Sequence, residues 1–344
     1  MISVAVSGIN ATDNPGPGIP VAKALRKTAR DFNITGLGYS ADDPGHYLNQ
    51  YLDQSTIMPW PTKGWQGIKE KLQSIKDRFG LDILISNLDA ELPIYIKHQD
   101  EINEMGIATL LPTENQFKMR SKAVLADFCE ELQVDHPRTV AVHSIDEMHY
   151  ALESFCFPVW VKGQYYKAFQ AYDYQSAIQN FNKLFGEWGA PVLIQEPVAG
   201  EELNVAGLGD GKGGLCGFVS IRKQSITSLG KIWSGVSLRN SHLEAITRRF
   251  VEVTKWSGPF ELEFKVQGDR ICLIEINPRF PAWIYFSAGI GVNLPERLID
   301  LLTKGSCDTA VDYPAGKLYM RYTEEVVTDI SEFSKIHNNG ESYV

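Results

Sequence analysis

The residues best suited to chemistry lie between Pro259 and Phe280. On the run Arg270 to Asn277, the side chains of Ile271, Leu273, Glu275 and Asn277 share one face by the two-residue period of a strand. Glu263 sits on the preceding strand, across a Gly268-Asp269 turn. Two carboxylates and an amide offer only oxygen ligands, which suits a hard cation such as Mg²⁺. Arg279, just past the strand, carries the planar fork that grips a phosphate through two parallel hydrogen bonds. The same alternation also describes an edge strand whose polar face is simply solvated. Register decides whether the carboxylates can act together. A three-residue loop, Gln267-Gly268-Asp269, puts Glu263 and Glu275 on one face, and a two-residue Gly268-Asp269 loop separates them.

The elements that must position these groups change character along the chain. Up to Pro112, short apolar runs (Ile2–Gly8, Ile34–Tyr39, Asp82–Asn87, Ala108–Leu111) alternate with helical patterns (Ile19–Phe32, Gly64–Phe79, Pro93–Met105). Such alternation implies a parallel sheet covered on both faces, so residues 1–112 read as an α/β domain. Beyond it come a helix Glu114–Leu132 bearing Lys122, a strand Thr139–His143, a helix Asp146–Phe155 and a strand Phe157–Lys162. A helix Tyr174–Trp188 and a strand Val192–Val198 follow. Strands then dominate (Glu202–Ala206, Leu215–Lys223, Lys231–Leu238, Phe260–Val266, Arg270–Asn277), with helices Leu243–Trp256 and Leu294–Leu302. This is an α+β pattern with antiparallel sheets. The expected divisions are 113–196, 197–330 and a loose polar tail, 331–344.

Composition bounds the function. With 33 basic and 42 acidic residues the net charge is −9, which argues against a general nucleic-acid-binding surface. An anionic substrate would need local Lys, Arg or a metal ion. No apolar run suits a membrane span, and Met1 to Val6 reads as a strand, not a secretory leader. The five cysteines form no CxxC pair, and a reducing cytoplasm is the expected setting. The seven histidines form no HxxH or HExxH cluster, and GxSxG is absent, so neither a zinc hydrolase nor a Ser-His-Asp hydrolase is supported.

The segment Leu273-Ile274-Glu275-Ile276-Asn277-Pro278-Arg279 resembles the metal-binding strand of the ATP-grasp superfamily, which includes biotin carboxylase, carbamoyl phosphate synthetase and D-alanine–D-alanine ligase. Other elements resemble that family in the right order. Lys122, in Met119-Arg120-Ser121-Lys122, stands where the family has its first phosphate lysine. Phe157-Pro158-Val159-Trp160-Val161-Lys162 looks like the strand carrying the second. Ile194 to Val205 looks like the hinge that grips adenine and ribose, and Asn293-Leu294-Pro295 after Gly289-Ile290-Gly291 matches the usual ending. The resemblance covers about residues 1 to 305. It implies an ATP-grasp fold preceded by a Rossmann-like pre-ATP-grasp domain. It also implies roles: Lys122 and Lys162 on phosphates, Gln195, Glu196 and Val198 on adenine, and Glu202 on ribose. Glu263, Glu275 and Asn277 would hold Mg²⁺, or Mn²⁺ in its place, and Arg279 would face the transferred phosphoryl group.

Three features stand outside that pattern. Many members follow the second lysine with a glycine-rich flap, whereas Gly163 to Tyr172 has one glycine and four aromatics. Lys167 is the one cation in that stretch. Strand alternation from Lys162 puts it on the opposite face, and a turn at Gly163 to Tyr165 could return it over the nucleotide; a lysine pointing to water fits equally well. The loop Asn10 to Gly18 holds Gly16-Pro17-Gly18 but does not meet GxGxxG, and reads either as a substrate wall or as a structural turn. Arg222, on a strand, could bind a substrate carboxylate or acyl phosphate.

The resemblance implies an ATP-dependent, ADP-forming ligase. A substrate carboxylate would be activated as an acyl phosphate, then attacked by an amine or a thiol. Bicarbonate activation is the alternative within the family, and a nucleotide-binding regulatory module without turnover is the alternative outside enzymes. The expected partners are small-molecule or peptide carboxylates and amines, with neither nucleic acid nor membrane, and a homo-oligomer is compatible with the sequence.

Overall fold

The structure, a computed structural model, describes residues 1–10, 15–164, 167–227 and 230–343. It divides into two compact units: Met1–Glu114 with Val205–Glu261 and Asn277–Val344, and Asn115–Asn204 with Leu262–Ile276.

In the first unit a sheet of five strands runs in the order Glu341–Tyr343, Gln54–Ile57, Phe32–Gly38, Ile2–Ser7, Ile83–Ile85. The four N-terminal strands are parallel, as the strand-helix alternation requires. Helix Gly18–Arg26 buries Ile19, Val21, Ala22 and Leu25. A Cβ at Gly18 would collide with Ser7 O, so glycine is what allows this approach to the first strand. The helix stops short of the expected Phe32 because Arg26 turns across it, donating to Phe32 O at 2.7 Å and pairing with Asp53 at 2.6 Å. Helix Trp65–Phe79 buries Ile68, Leu72 and Ile75, one stripe at helical spacing.

Three expectations in this unit are corrected. The helix expected over Pro93–Met105 breaks at His98 into Leu92–Lys97 and Gln99–Glu104, where His98 stacks on Trp65 and bonds Glu101. The strand expected at Ala108–Leu111 reduces to a single bridge, Ile83 to Ala108. The tail expected to be loose forms a helix Ile330–Asn339 and the strand Glu341–Tyr343, which adds antiparallel to Gln54–Ile57. Ile336 is fully buried, and Glu341 pairs with Lys71 at 2.9 Å and with Arg78, so one apolar anchor and one charge clamp order a polar segment.

The same unit contains strand Leu215–Ile226 paired antiparallel with Ile232–Leu238, and that strand with Leu318–Met320. Strands Glu201–Asp210, Ser257–Gln267 and Arg270–Asn277 complete a six-stranded sheet.

The second unit is built on an antiparallel sheet ordered Thr139–Val142, Val192–Gln195, Val159–Gly163, Ala168–Ala171. Pairing puts Val142, Val159, Val161, Ala171, Val192 and Ile194 on one face. Helices Ile145–Leu152 and Tyr174–Trp188 cover that face with Met148, Leu152, Phe181 and Leu184. Asp173 and Ser176 close a capping box at the start of the longer helix, satisfying amide donors that its first turn leaves open. The helix expected over Glu114–Leu132 is instead two pieces, Glu114–Lys118 and Leu125–Leu132. Between them Arg120, Ser121 and Val124 donate three residues back, and these tight turns carry Lys122 off the helix. Among the described residues no helix is long and apolar enough to cross a membrane.

Candidate active site

The other face of the second unit's sheet is polar by the same alternation. Thr139 lies opposite Gln195, and Lys162 opposite Leu193, two residues from Gln195. The Lys162 ammonium donates to Gln195 Oε1 at 2.6 Å, and Gln195 Nε2 donates to Thr139 Oγ1 at 2.9 Å. The apolar strand thus carries its lysine to a half-buried place on the sheet's polar face. Burial and the neighbouring Lys122 ammonium push the Lys162 pKa down to about 8, while Glu275, Glu202 and Glu263 hold it up. Two ammoniums and three carboxylates expected from the sequence are therefore gathered in one electrostatic neighbourhood. Lys122 Nζ lies 3.2 Å from Glu275 Oε2, and Glu202 pairs with Lys265 at 2.9 Å.

The turn between the last two strands is Gly268-Asp269 alone, since Gln267 ends one strand and Arg270 begins the next. By turn length alone Glu263 and Glu275 would face opposite ways. Both nonetheless act on the Lys162 ammonium, and the Asn277 side chain bonds that of Glu261.

In the connection between Gln195 and Glu201, Glu196 is tied to the sheet. Its N–H donates to Arg138 O at 3.0 Å, its carboxylate accepts from Arg138 N–H at 3.1 Å, and Arg270 lies 3.8 Å away. Val198 lies in the same connection, outside regular structure. Lys167 is set apart. Pairing of Lys162 with Ala168 puts Ala168, and not Lys167, on the lysine face, so the expected reset does not occur. The Lys167 ammonium pairs with Glu187 and lies 5.9 Å from the Trp188 ring centroid. Tyr165 and Tyr166 of the expected flap, like 11–14 of the glycine loop, lie outside the described residues.

In the first unit, Arg279 is fixed by Asp89, with Nε 3.2 Å from Oδ1, and also donates to Phe280 O at 3.2 Å. Asp89 belongs to a loop anchored by the fully buried Glu91, which accepts from Ser86 Oγ at 2.8 Å, Asn87 N at 3.1 Å and Tyr39 OH at 2.7 Å. Desolvation raises the Glu91 pKa, and the hydrogen bonds work against that rise. Asn277 is buried and donates to Glu261. Arg222 is half-buried on its strand, opposite Val236. A cavity of about 610 Å³ in this unit, lined by Tyr39, Trp60, Lys63 and Lys71 among others, contains none of the residues singled out from sequence.

Sequence reasoning missed Glu261, Asp89, Thr139 and the Gln195 side chain. The period-two reading that linked Glu275 to Asn277 would have linked Glu263 to Glu261, and Thr139 and Gln195 to Lys162, once pairing was known. Asp89 had no such signal. Among the described residues no three His, Cys, Asp or Glu side chains converge as a metal cage. A nucleotide-borne Mg²⁺ does not require one, because one or two carboxylates and the phosphates complete its shell. Glu263 and Glu275, beside two ammoniums that can meet those phosphates, fit such an ion.

An antiparallel sheet bearing Lys162, a second sheet ending in Glu275 and Asn277, and a parallel α/β unit before them make up the ATP-grasp fold. Residues 189–326 match the family model described as ATP-grasp in the biosynthetic pathway with Ter operon. The chain is similar to the L-amino acid ligase of Bacillus licheniformis, with 14% identity, TM-score 0.64, and coverage of 88% of this chain and 74% of that one. It is also similar to N5-carboxyaminoimidazole ribonucleotide synthetase from Thermus thermophilus, with 13% identity, TM-score 0.65 and coverage of 92% and 80%. The biotin carboxylase domain of the Hydrogenobacter thermophilus 2-oxoglutarate carboxylase gives 14% identity, TM-score 0.68 and coverage of 92% and 73%. No curated protein matches the chain.

Proposed function

We propose that the protein is an ATP-dependent, ADP-forming ligase that activates a carboxylate as an acyl phosphate for attack by an amine or a thiol. The observation that carries this reading is the half-buried Lys162 ammonium, its pKa lowered by desolvation and by Lys122 and held up by Glu275, Glu202 and Glu263. A cluster of opposite charges of this kind is poor material for stability but is ready to exchange partners with a magnesium-bound polyphosphate.

In this reading Lys122 and Lys162 bind phosphate oxygens as point charges. Glu196 meets adenine through its carbonyl, since its N–H and carboxylate serve Arg138, and the Gln195 and Val198 backbones complete the contact. Glu202 takes the ribose hydroxyls. Glu263, Glu275 and Asn277 hold Mg²⁺ or Mn²⁺, which when bound neutralises the charge that develops on the phosphates. Arg279, with its side chain fixed by Asp89, presents its donors to the transferred group, and Arg222 receives the substrate carboxylate. We assign Lys167 to the surface. A cytoplasmic setting fits this chemistry.

The named activity of one structural neighbour, an L-amino acid ligase, supports a carboxylate–amine substrate pair, and a biotin carboxylase domain keeps bicarbonate as the second reading. The test is an ADP-release screen of carboxylates, bicarbonate included, crossed with amines and thiols at several Mg²⁺ concentrations. ADP formation that requires both a carboxylate and a nucleophile supports the ligase. Release with bicarbonate alone supports the second reading, and nucleotide binding with no release under any pairing would refute turnover.

A further inference from the structure

Asn277 is tied to a group that the motif does not include. Its Nδ2 donates to Glu261 Oε2 at 3.1 Å, and the other carboxylate oxygen, Oε1, accepts from Trp283 Nε1 at 2.7 Å. All three residues are buried, at 6%, 5% and 3% exposure for Asn277, Glu261 and Trp283. The direction of an amide follows from what its partners can do, because its oxygen and nitrogen have nearly the same shape. An indole N–H only donates, and an ionised carboxylate only accepts. Glu261 therefore accepts from Trp283 on one oxygen and demands the NH₂ of Asn277 on the other. The carbonyl oxygen Oδ1, the one side-chain atom of Asn277 able to bind a hard cation, is thereby turned away from Glu261.

We propose that Glu261 is a positioning residue for the metal: it locks the Asn277 amide with Oδ1 presented as a ligand, and Trp283 clamps Glu261 in place. The inference rests on the metal reading of Glu263, Glu275 and Asn277 given above. Each oxygen of Glu261 accepts a hydrogen bond, one of them from Asn277, and it is through Asn277 that Glu261 acts on the ion in this proposal. A buried carboxylate is a costly way to fill space, and leucine or methionine would pack at lower cost. Its two hydrogen bonds offset the desolvation, and what it adds is direction. Groups that orient a metal ligand typically matter by ~10- to 100-fold in metal affinity.

The probe is Mn²⁺ bound in the presence of adenylyl imidodiphosphate, followed by electron paramagnetic resonance, with affinity for the metal-free nucleotide measured separately in EDTA. Glu261→Gln keeps the shape but can offer either NH₂ or oxygen to Asn277, which frees the amide to flip. It should weaken Mn²⁺ binding by ~10- to 100-fold and leave metal-free nucleotide affinity within about twofold. Asn277→Ala should lose a similar factor, and the double variant should be no worse than Asn277→Ala alone, because the two act as a unit. Where Glu261→Gln does not fold, Trp283→Phe decides: it keeps the carboxylate, removes the clamp and should weaken Mn²⁺ severalfold. Unchanged Mn²⁺ affinity in the folded variant overturns the proposal. Equal loss of metal-free nucleotide binding also overturns it, since that marks a merely structural role. The underlying metal reading fails separately, if Glu275→Gln binds Mn²⁺ as the wild type does.

Discussion

In the second unit, Lys122, Lys162, Glu202, Glu263 and Glu275 are charges whose partners can be exchanged, whereas in the first unit Glu261, Asn277 and Trp283 are joined donor to acceptor with both carboxylate oxygens in use. Glu275 keeps about a third of its side chain exposed (32%), so its pairing with Lys122 can give way to another ligand. Glu261 has no comparable freedom, being 5% exposed. The difference separates two tasks that the same residue types perform. Exchangeable pairs keep a highly charged site neutral until a polyanion arrives. Fixed pairs define which atom of a neighbour points at that polyanion. Only the first kind should respond strongly to pH and to charge-changing substitution.

The largest effect should come from Glu275→Gln, which removes one charge from the exchangeable cluster and keeps the shape. It removes the carboxylate that lies 3.2 Å from Lys122 and takes away a ligand of the expected ion. Removing one group that stabilises transition-state charge typically costs ~10²- to 10³-fold in rate. ADP formation at saturating Mg²⁺ should fall by about that factor, while the melting temperature moves little. Near-normal turnover would remove Glu275 from the site and dissolve the contrast between the units.

A smaller effect follows from the Lys162 pKa of about 8. Its folded value lies below that of a free lysine, so the ammonium is half charged at about pH 8 and nearly fully charged only below about pH 7. An anionic nucleotide raises that pKa on binding, and above pH 8 binding must therefore take up a proton. Metal-free ATP affinity should be flat from about pH 6.5 to 7.5 and then fall, by at most about tenfold per pH unit. Lys162→Arg holds its charge throughout and should flatten the profile. A wild-type curve flat to about pH 9.5 would show that Lys162 is not titrating where its burial and its neighbours place it.

Much of this was legible in the sequence, and what was lost had a common cause. The parallel sheet, the long helices Trp65–Phe79 and Tyr174–Trp188 and the strand Arg270–Asn277 were readable because each carries its own periodicity. Glu263 and Glu275 were singled out by strand alternation and by the resemblance, Lys162 by its place at the end of an apolar strand and by the resemblance, and Glu202 by the resemblance alone. The failures are non-local. The turns that displace Lys122 from a helix are accompanied by a bond from Gln164 to Ser121, 43 residues apart in sequence. The tail is ordered by Lys71 and Arg78, which lie more than 260 positions away. Asp89 meets Arg279 across 190 positions.

The smallest effect is expected at Lys167, and its smallness sharpens the comparison within one hairpin. Lys162 and Lys167 are five positions apart and carry the same charge, yet alternation gives them opposite faces, since Lys162 pairs with Ala168. Lys162 enters a half-buried cluster; Lys167 pairs with Glu187, with both side chains about 40% exposed (43% and 38%). Exposed ion pairs contribute only ~0 to 1 kcal/mol, because water screens them and two long side chains must be immobilised. Lys167→Ala should therefore leave ATP affinity and ADP release within about twofold of wild type and cost under about 1 kcal/mol of stability. Lys162→Ala, in the same titration, removes a half-buried cation proposed to meet phosphate and should weaken ATP severalfold or more. The measurement is a paired nucleotide titration of the two variants with thermal melts alongside. Equal losses in both would mean that Lys167 leaves Glu187 for the nucleotide, and that the exchangeable class of charges extends to this hairpin's other face.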